Sequence, residues 1–319
     1  MVLASLAILL GLLFLIWSAN KFIDGASTLA SNSGVSPLII GMVIVGFGTS
    51  APEVFVSAIA AYKGSSELAV GNALGSNIVN IGLIVGITAI IAPLRVHSAI
   101  LKKELPILLF LVIFCGILLK DFDLSLTDSL ILLTALAAFV LWTVVIARRQ
   151  PHDQLAHVEG MIGDNNKATN LSALLSLTIG LVVLLMSSRS LVWGAVEIAT
   201  ILGVSDLTIG LTVVAIGTSL PELAASIIAV RKGEHDLAVG NVVGSNIFNI
   251  LAVMGLAGAI HPTVGLAKDI LYRDWLAMLL MTVLLFIMAI GYRREGKINR
   301  FEGALLLSLY IGYNVYLLL

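Results

Sequence analysis

The sequence predicts an all-α polytopic membrane protein whose ten transmembrane helices form two inverted five-helix repeats. Three observations carry that expectation. Hydrophobic residues make up 59% of the 319 residues and charged residues only 12%, against about 25% charged in a soluble domain. Ten apolar runs separated by polar or Gly/Pro breaks are long enough to cross a bilayer. The stretch from Gly48 to Ile81, GTSAPEVFVSAIAAYKGSSELAVGNALGSNIVNI, also returns from Gly217 to Ile250 as GTSLPELAASIIAVRKGEHDLAVGNVVGSNIFNI.

A span needs about 20 apolar residues. The runs lie at 2–20, 37–62, 67–92, 101–119, 125–147, 170–189, 206–231, 236–260, 271–292 and 301–319. The first opens MVLASLAILLGLLFLIW with no preceding Lys or Arg and reads as a retained span rather than a cleaved leader. After the first and sixth runs, KFIDGASTLASNSGVS and SLVWGAVEIATILGVSD are half polar without a strong helix stop, so both helices are expected to continue. Breaks are expected at Lys63-Gly64, Pro93 with Arg95, Asp121 to Asp123, Lys232-Gly233, Pro262, and Tyr292 to Arg294.

Matched residues of the repeat are 169 apart, and 24 of the 46 positions from Gly41 to Gly86 are identical to Gly210 to Gly255 without a gap. Most glycines and serines, the proline, every asparagine and Glu53 match one for one while apolar neighbours drift. The similarity extends to Gly11 with Gly180, Gly25 with Gly194, and Pro93 with Pro262. The chain therefore divides into a first repeat at 1–147 (core 37–92), a linker at 148–169, and a second repeat at 170–319 (core 206–260). Five spans per half make the second half enter the membrane in the opposite sense.

With the N-terminus outside, inner segments hold Lys21, Arg95, Lys102, Lys103, Arg148, Arg149, Lys167, Arg231, Lys232, Arg293, Arg294, Lys297 and Arg300. Outer segments hold Lys63, Lys120, Arg189, Lys268 and Arg273. The positive-inside rule then puts both termini outside and the 148–169 linker in the cytoplasm. The segment RREGKINR before the last run reads as an inner-leaflet anchor. Net charge of −1 offers no basic face for nucleic acid. The single cysteine, Cys115, lies in an apolar run and reads as packing.

Chemistry concentrates in the repeat. Gly46, Gly48 and Pro52 interrupt the second run at mid-span, where irregular backbone is tolerated only against protein or a polar cavity. Thr49, Ser50, Glu53 and Ser57 cluster at that break, and Asn72, Ser76 and Asn80 recur every four residues in the third run. The second copy supplies Thr218, Ser219, Glu222 and Ser226, then Asn241, Ser245 and Asn249. A carboxylate at membrane depth reads as functional. No span core contains a Lys or Arg to pair with it. Carboxylate, amide, hydroxyl and carbonyl oxygens suit Ca²⁺, while the lack of Cys or His in the cluster disfavours zinc and copper. Asn72, Asn77, Asn241 and Asn246 read as interhelical glue or caps of the helix breaks. His152, Asp153 and His157 read as a solvated linker.

GTSAPE and GTSLPE, each followed by GNxxGSNIxNI, resemble the paired α-repeats of the sodium/calcium exchangers, prokaryotic type, in the cation/calcium exchanger superfamily. The resemblance implies a ten-helix fold in which the first and sixth helices slide past the other eight. It also implies that Glu53 and Glu222 are shared central ligands for Ca²⁺ and Na⁺, with Thr49 and Thr218 giving backbone carbonyls. Gly46, Ser50 and Ser245 would serve one flanking Na⁺ site, and Ala215, Ser219 and Ser76 the other. Asn80 and Asn249 would border the middle. Relatives often carry aspartate at one of those last two positions, and here both are asparagine.

The function so implied is secondary-active Na⁺/Ca²⁺ antiport by alternating access. H⁺/Ca²⁺ exchange, K⁺-dependent Ca²⁺ exchange and, less favoured, a cation channel are the alternatives. A channel usually draws its acidic ring from several subunits. No nucleophile motif, HExxH or P-loop points to an enzyme or an ATP-driven pump. Expected partners are Ca²⁺ and Na⁺ as substrates and membrane lipid, with no cofactor, nucleic acid or obligatory protein partner. The expected location is the cell (inner) membrane of a prokaryote.

Overall fold

A computed structural model describes residues 1–96, 98–149, 169–203, 215–290 and 296–318. Most of the 148–169 linker, the opening of the seventh run at 206–214, and Arg293 and Arg294 lie outside the described residues. The architecture is overwhelmingly helical. Helices α1 (Val2–Ser33), α2 (Pro37–Thr49), α3 (Ala51–Tyr62) and α4 (Ser66–Ile91) are followed by strand β1 (Leu94–Val96) and α5 (Ser98–Leu118). Strand β2 (Asp123–Leu124) leads to α6 (Leu126–Arg149), and the second half opens on α7 (Asn170–Ile201). Then come α8 (Ala215–Thr218), α9 (Leu220–Arg231), α10 (His235–Ile260) and β3 (Thr263–Val264). A helix from Ile270 to Trp275 continuing as Leu276–Ile290 forms α11, and β4 (Gly296–Ile298) precedes α12 (Arg300–Leu318).

Among the described residues, six helices are long and apolar enough to cross a membrane, or seven if the bent pair α2 and α3 is one span. The half-polar continuations do stay helical: α1 and α7 have 32 residues each, about 48 Å at 1.5 Å per residue. Gly34 ends α1 in the left-handed region at φ 63, a conformation that carries little strain only without a Cβ. The Lys-Gly breaks close the same way in both copies. Gly64 donates its N–H to the Ala61 carbonyl and Ser65 to Ala60, as Gly233 does to Val230 and Glu234 to Ala229. These paired bonds occupy carbonyls that the helix end leaves open.

The described chain packs as two compact units, each drawing on both halves of the sequence. The first comprises Met1–Thr49 and Trp142–Asn241. Its frame is the antiparallel pair α1 and α7, which touch backbone to backbone. A Cβ on Gly25 would lie 2.5 Å from the Leu177 nitrogen and 2.8 Å from the Ala173 oxygen. A Cβ on Gly194 would lie 2.6 Å from the Ala4 oxygen and 2.9 Å from Ile8. Small residues allow such an approach, and in lipid this contact replaces the missing hydrophobic drive. The outer faces stay apolar and exposed, with Leu3, Leu9, Leu13 and Phe14 on α1 and Leu171, Leu174 and Ile179 on α7. Lys232 pairs with Asp24 at 2.5 Å, and the Ser27 hydroxyl donates to the Glu234 carboxylate, tying α1 to the turn after α9.

The second unit comprises Ser50–Leu141 and Val242–Leu319. In it α12 lies against the end of α4, where a Cβ on Gly303 would come 2.8 Å from the Gly86 oxygen. Trp275 of α11 covers Gly116 of α5 and donates its indole N–H to the Val112 carbonyl at 2.8 Å. Two short antiparallel ribbons, β1 with β4 and β2 with β3, join connections between these helices. Of those six spans the helices carrying the asparagine stripes are the most enclosed, with 78% of an 18-residue apolar stretch of α4 and 83% of one of α10 buried, against 17% for α6. Polar side chains on α4 and α10 therefore face protein rather than lipid.

Candidate cation-binding site

Each acidic position is set up by a break followed by proline. The first copy stops at Thr49, bends by 44° and restarts at Ala51, with Ser50 between. Pro52 and Glu53 fall in the first turn of α3, where the missing proline N–H leaves no bond unmade. In the second copy Ser219 separates α8 from α9, and Pro221 and Glu222 occupy the same first turn. A carboxylate there meets the positive end of a helix dipole, which offsets part of the penalty for burying it. Both glutamates are 1% exposed.

Within the first unit, Asn241 of α10 holds the second break together. Its Nδ2 donates to the Glu222 backbone carbonyl at 3.2 Å and to the Ser226 hydroxyl at 2.9 Å. Its Oδ1 accepts from the Thr49 hydroxyl at 3.1 Å, at the end of α2. Gly46 closes a π-helical stretch, Gly41–Gly46, just ahead. Ala215 opens α8 and Thr218 ends it. Ser219 is buried, and its hydroxyl has no hydrogen-bond partner among the described residues. The sequence reading did not single out Ser188 of α7, which donates to the Gly217 carbonyl at 2.9 Å.

Within the second unit, Asn72 repeats the pattern, donating to the Glu53 carbonyl at 3.4 Å and to the Ser57 hydroxyl at 2.9 Å. Ser50 fills the break and is buried. Ser76 and Ser245 lie one turn ahead of Asn80 and Asn249, all four buried. Four amides join α4 to α10 in a reciprocal network. Asn80 donates to the Asn246 Oδ1 at 3.0 Å, and Asn249 donates to the Asn77 Oδ1 at 3.0 Å. Asn77 also donates to the Asn246 carbonyl at 3.2 Å. Asn77 and Asn246 are thus the interhelical glue expected of them.

The network leaves a specific remainder. Asn80 and Asn249 spend donors on other amides, and their Oδ1 atoms have no hydrogen-bond partner among the described residues although both residues are 1% exposed. A buried acceptor without a donor costs about 1–3 kcal/mol. A cation or a water would satisfy it. Both helices switch to wider π-helical turns at these residues, Asn80–Val85 and Asn249–Met254. Such turns recur at functional sites. No hydrophobic period or propensity announces them, so they were not foreseen. In each unit the break offers carboxylate, amide, hydroxyl and carbonyl oxygen, the chemistry of a hard cation.

Known proteins resemble the chain along nearly its whole length. A family model described as "Sodium/calcium exchanger protein" matches residues 3–145 and 172–319. The chain is 45% identical over 318 residues to the putative antiporter CaxA of Alkalimonas amylolytica, covering 100% of this chain and 99% of that protein. It is 42% identical to the inner membrane protein YrbG of Escherichia coli (strain K12), over 96% of this chain and 94% of that one. The structure of the sodium-calcium exchanger NCX_Mj soaked with 2.5 mM Na⁺ and 0.1 mM Ca²⁺ superposes with a TM-score of 0.85 at 33% identity, covering 99% of each chain. An apolar helical fold, two proline-set glutamates at matched helix breaks and a family pattern running through both halves agree: this integral membrane protein belongs to the sodium/calcium exchanger family of transporters.

Proposed function

We propose that the protein is a secondary-active antiporter exchanging Na⁺ for Ca²⁺ by alternating access. The observation that carries this reading is the pair of buried glutamates, each in the first turn after a matched helix break among oxygen donors alone. Glu53 and Glu222 share the central cation, with carbonyls from Thr49 and Thr218. Gly46, Ser50 and Ser245 serve one flanking Na⁺, and Ala215, Ser219 and Ser76 the other. Two facing carboxylates left empty in a low dielectric repel each other, so the unloaded site resists switching sides. That resistance couples one ion to the other.

The proposed frame is ten transmembrane helices in two inverted repeats, 1–147 and 170–319, joined by the linker at 148–169. Reciprocal contacts support it. Gly25 meets Ala173 and Leu177, Gly194 meets Ala4 and Ile8, and moving Gly25 up by 169 positions and Ala173 and Leu177 down by 169 turns the first contact into the second. A two-fold axis between antiparallel copies produces that exchange. The location is the inner membrane, as the name of the E. coli relative has it, with both termini outside and the linker in the cytoplasm. A cysteine at Lys103, on the basic side, is expected to react with an impermeant thiol reagent only in inverted vesicles, and one at Lys120 only in intact cells. The reverse pattern inverts the topology. Cys115 is fully buried and gives no background.

The test of function is Ca²⁺ uptake into proteoliposomes driven separately by outward Na⁺, K⁺ and proton gradients. Uptake with Na⁺ alone is expected. Uptake with only K⁺ or protons reassigns the counter-ion, and Ca²⁺ entry needing no counter-gradient makes the protein a channel.

The two central asparagines give a sharper expectation. Two carboxylates balance one Ca²⁺, whereas three Na⁺ leave a net charge of about +1 in a dry site. The middle position between Asn80 and Asn249 therefore holds water or no tightly bound Na⁺. Asn249→Asp adds a third carboxylate, and three in one dry site hold a proton that competes with cations. Transport by that variant is expected to be more acid-sensitive than the parent, while Asn249→Ala retains substantial Ca²⁺ flux. A folded Asn249→Ala protein without flux would make this amide an essential ligand.

A further inference from the structure

The β1–β4 ribbon presents two like charges side by side. Arg95 and Lys297 are directly opposed in the antiparallel register, where facing Cα atoms lie about 4.5–5.5 Å apart. Cross-strand partners project from the same face. On both strands the central residue is exposed and its neighbours are buried. Leu94, Val96 and Ile298 are 3%, 2% and 1% exposed, so the apolar face anchors the ribbon and the cationic face is open. Like charges directly opposed across strands destabilise the pair. Among the described residues neither cation has an ion-pair partner. The carboxylate of Glu302 accepts the Asn299 backbone N–H at 2.7 Å.

The fold does not require this arrangement. Residues 94–96 correspond, at the spacing of 169, to 263–265, and the second copy builds the equivalent ribbon from β2 and β3. There Asp123 faces Val264, and Asp123 accepts the Gly265 N–H at 2.8 Å. One ribbon thus carries two opposed cations where the other carries a carboxylate and a valine. The β1–β4 ribbon lies between the ends of α4 and α11 and the starts of α5 and α12. In the proposed ten-span frame these helices cross the membrane, which puts the ribbon at the level of the lipid headgroups. Arg300, exposed at the start of α12, adds a third positive charge just along the chain.

We propose that the β1–β4 ribbon binds an anionic phospholipid, its headgroup phosphate bridging Arg95 and Lys297. The phosphate neutralises the opposed charges, and the adjoining helices receive the acyl chains. Each cation near a membrane surface contributes about fivefold to attraction for anionic lipid. Delipidated full-length protein in detergent would be titrated with phosphatidylglycerol or phosphatidylcholine, and bound lipid counted by native mass spectrometry. Wild type is expected to prefer phosphatidylglycerol. Arg95→Gln with Lys297→Gln is expected to weaken that binding roughly 30-fold and leave phosphatidylcholine unchanged. The charge-conserving pair Arg95→Lys with Lys297→Arg retains it. Should the double glutamine variant not fold, Lys297→Gln alone is read the same way, with a loss of about fivefold. The proposal is overturned by equal affinity of wild type for both lipids, or by unchanged phosphatidylglycerol binding in a folded glutamine variant. It is also overturned if inorganic phosphate displaces the lipid at comparable concentration, which makes the ribbon a free-anion site.

Discussion

Replacing Glu53 or Glu222 with glutamine is expected to abolish Ca²⁺ transport while leaving the protein folded. Glutamine keeps the shape and one oxygen acceptor but removes a full charge from a buried position. The Asn72 and Asn241 bonds to these residues are made to the backbone carbonyls, so they survive the change. The bends at Ser50 and Ser219 survive with them. On the proposed ligand role of the pair, what is lost is half of the charge that balances the divalent ion. Removing one partner of a buried ion pair costs about 3–5 kcal/mol, a drop of roughly two to four orders of magnitude in affinity. The two variants should be equally impaired, because each glutamate sits in the same turn of its own copy. The measurement is Na⁺-driven ⁴⁵Ca²⁺ uptake alongside a thermal unfolding curve. Parental flux in either variant removes that glutamate from the site.

Gly25→Val is expected to be the most damaging change outside the cation cluster. The new side chain would start 2.5 Å from the Leu177 nitrogen and 2.8 Å from Leu177 Cα. These are backbone atoms inside a helix, so they cannot swing aside as a flexible side chain would. Helices α1 and α7 must separate, and the dispersion contacts along both are lost. Overpacking of a close interface costs about 1–3 kcal/mol, occasionally more. Gly180→Val should act alike, since its Cβ would lie 2.5 Å from the Phe22 nitrogen. Gly312→Val is the control, because nothing described lies within 4 Å of that position. A lowered midpoint for the first two, and none for the third, is the expected thermal unfolding result. If all three unfold like the parent, the two helices do not depend on backbone contact.

The glycine pairs show how far a one-dimensional reading reaches. Gly11 with Gly180 and Gly25 with Gly194 are visible as repeat matches, yet the repeat gives no reason for them. The reason is the α1–α7 contact, which lies between residues about 150 or more positions apart. The breaks were legible because Gly and Pro act on the local backbone: Lys63-Gly64 and Lys232-Gly233 end helices, and Pro52 and Pro221 start them. The π-helical turns at Asn80 and Asn249 were not, because no local preference writes an extra residue into a helical turn.

By itself, the sequence determined the compartment, the helical class, the repeat and the identity of the polar residues, since each follows from composition, period or local backbone chemistry. Tertiary structure alone decided which amide oxygens remain for a water or a cation. Asn77 and Asn80 sit in one stripe and look interchangeable along the chain. Only the packing of α4 against α10 gives Asn77 partners for both its donor and its acceptor and leaves the Asn80 oxygen without one among the described residues. The same holds for Arg95 and Lys297, 202 residues apart and side by side only because two strands pair. Hydrogen bonds and burial penalties act between atoms in space, and a chain states that proximity only after it has folded.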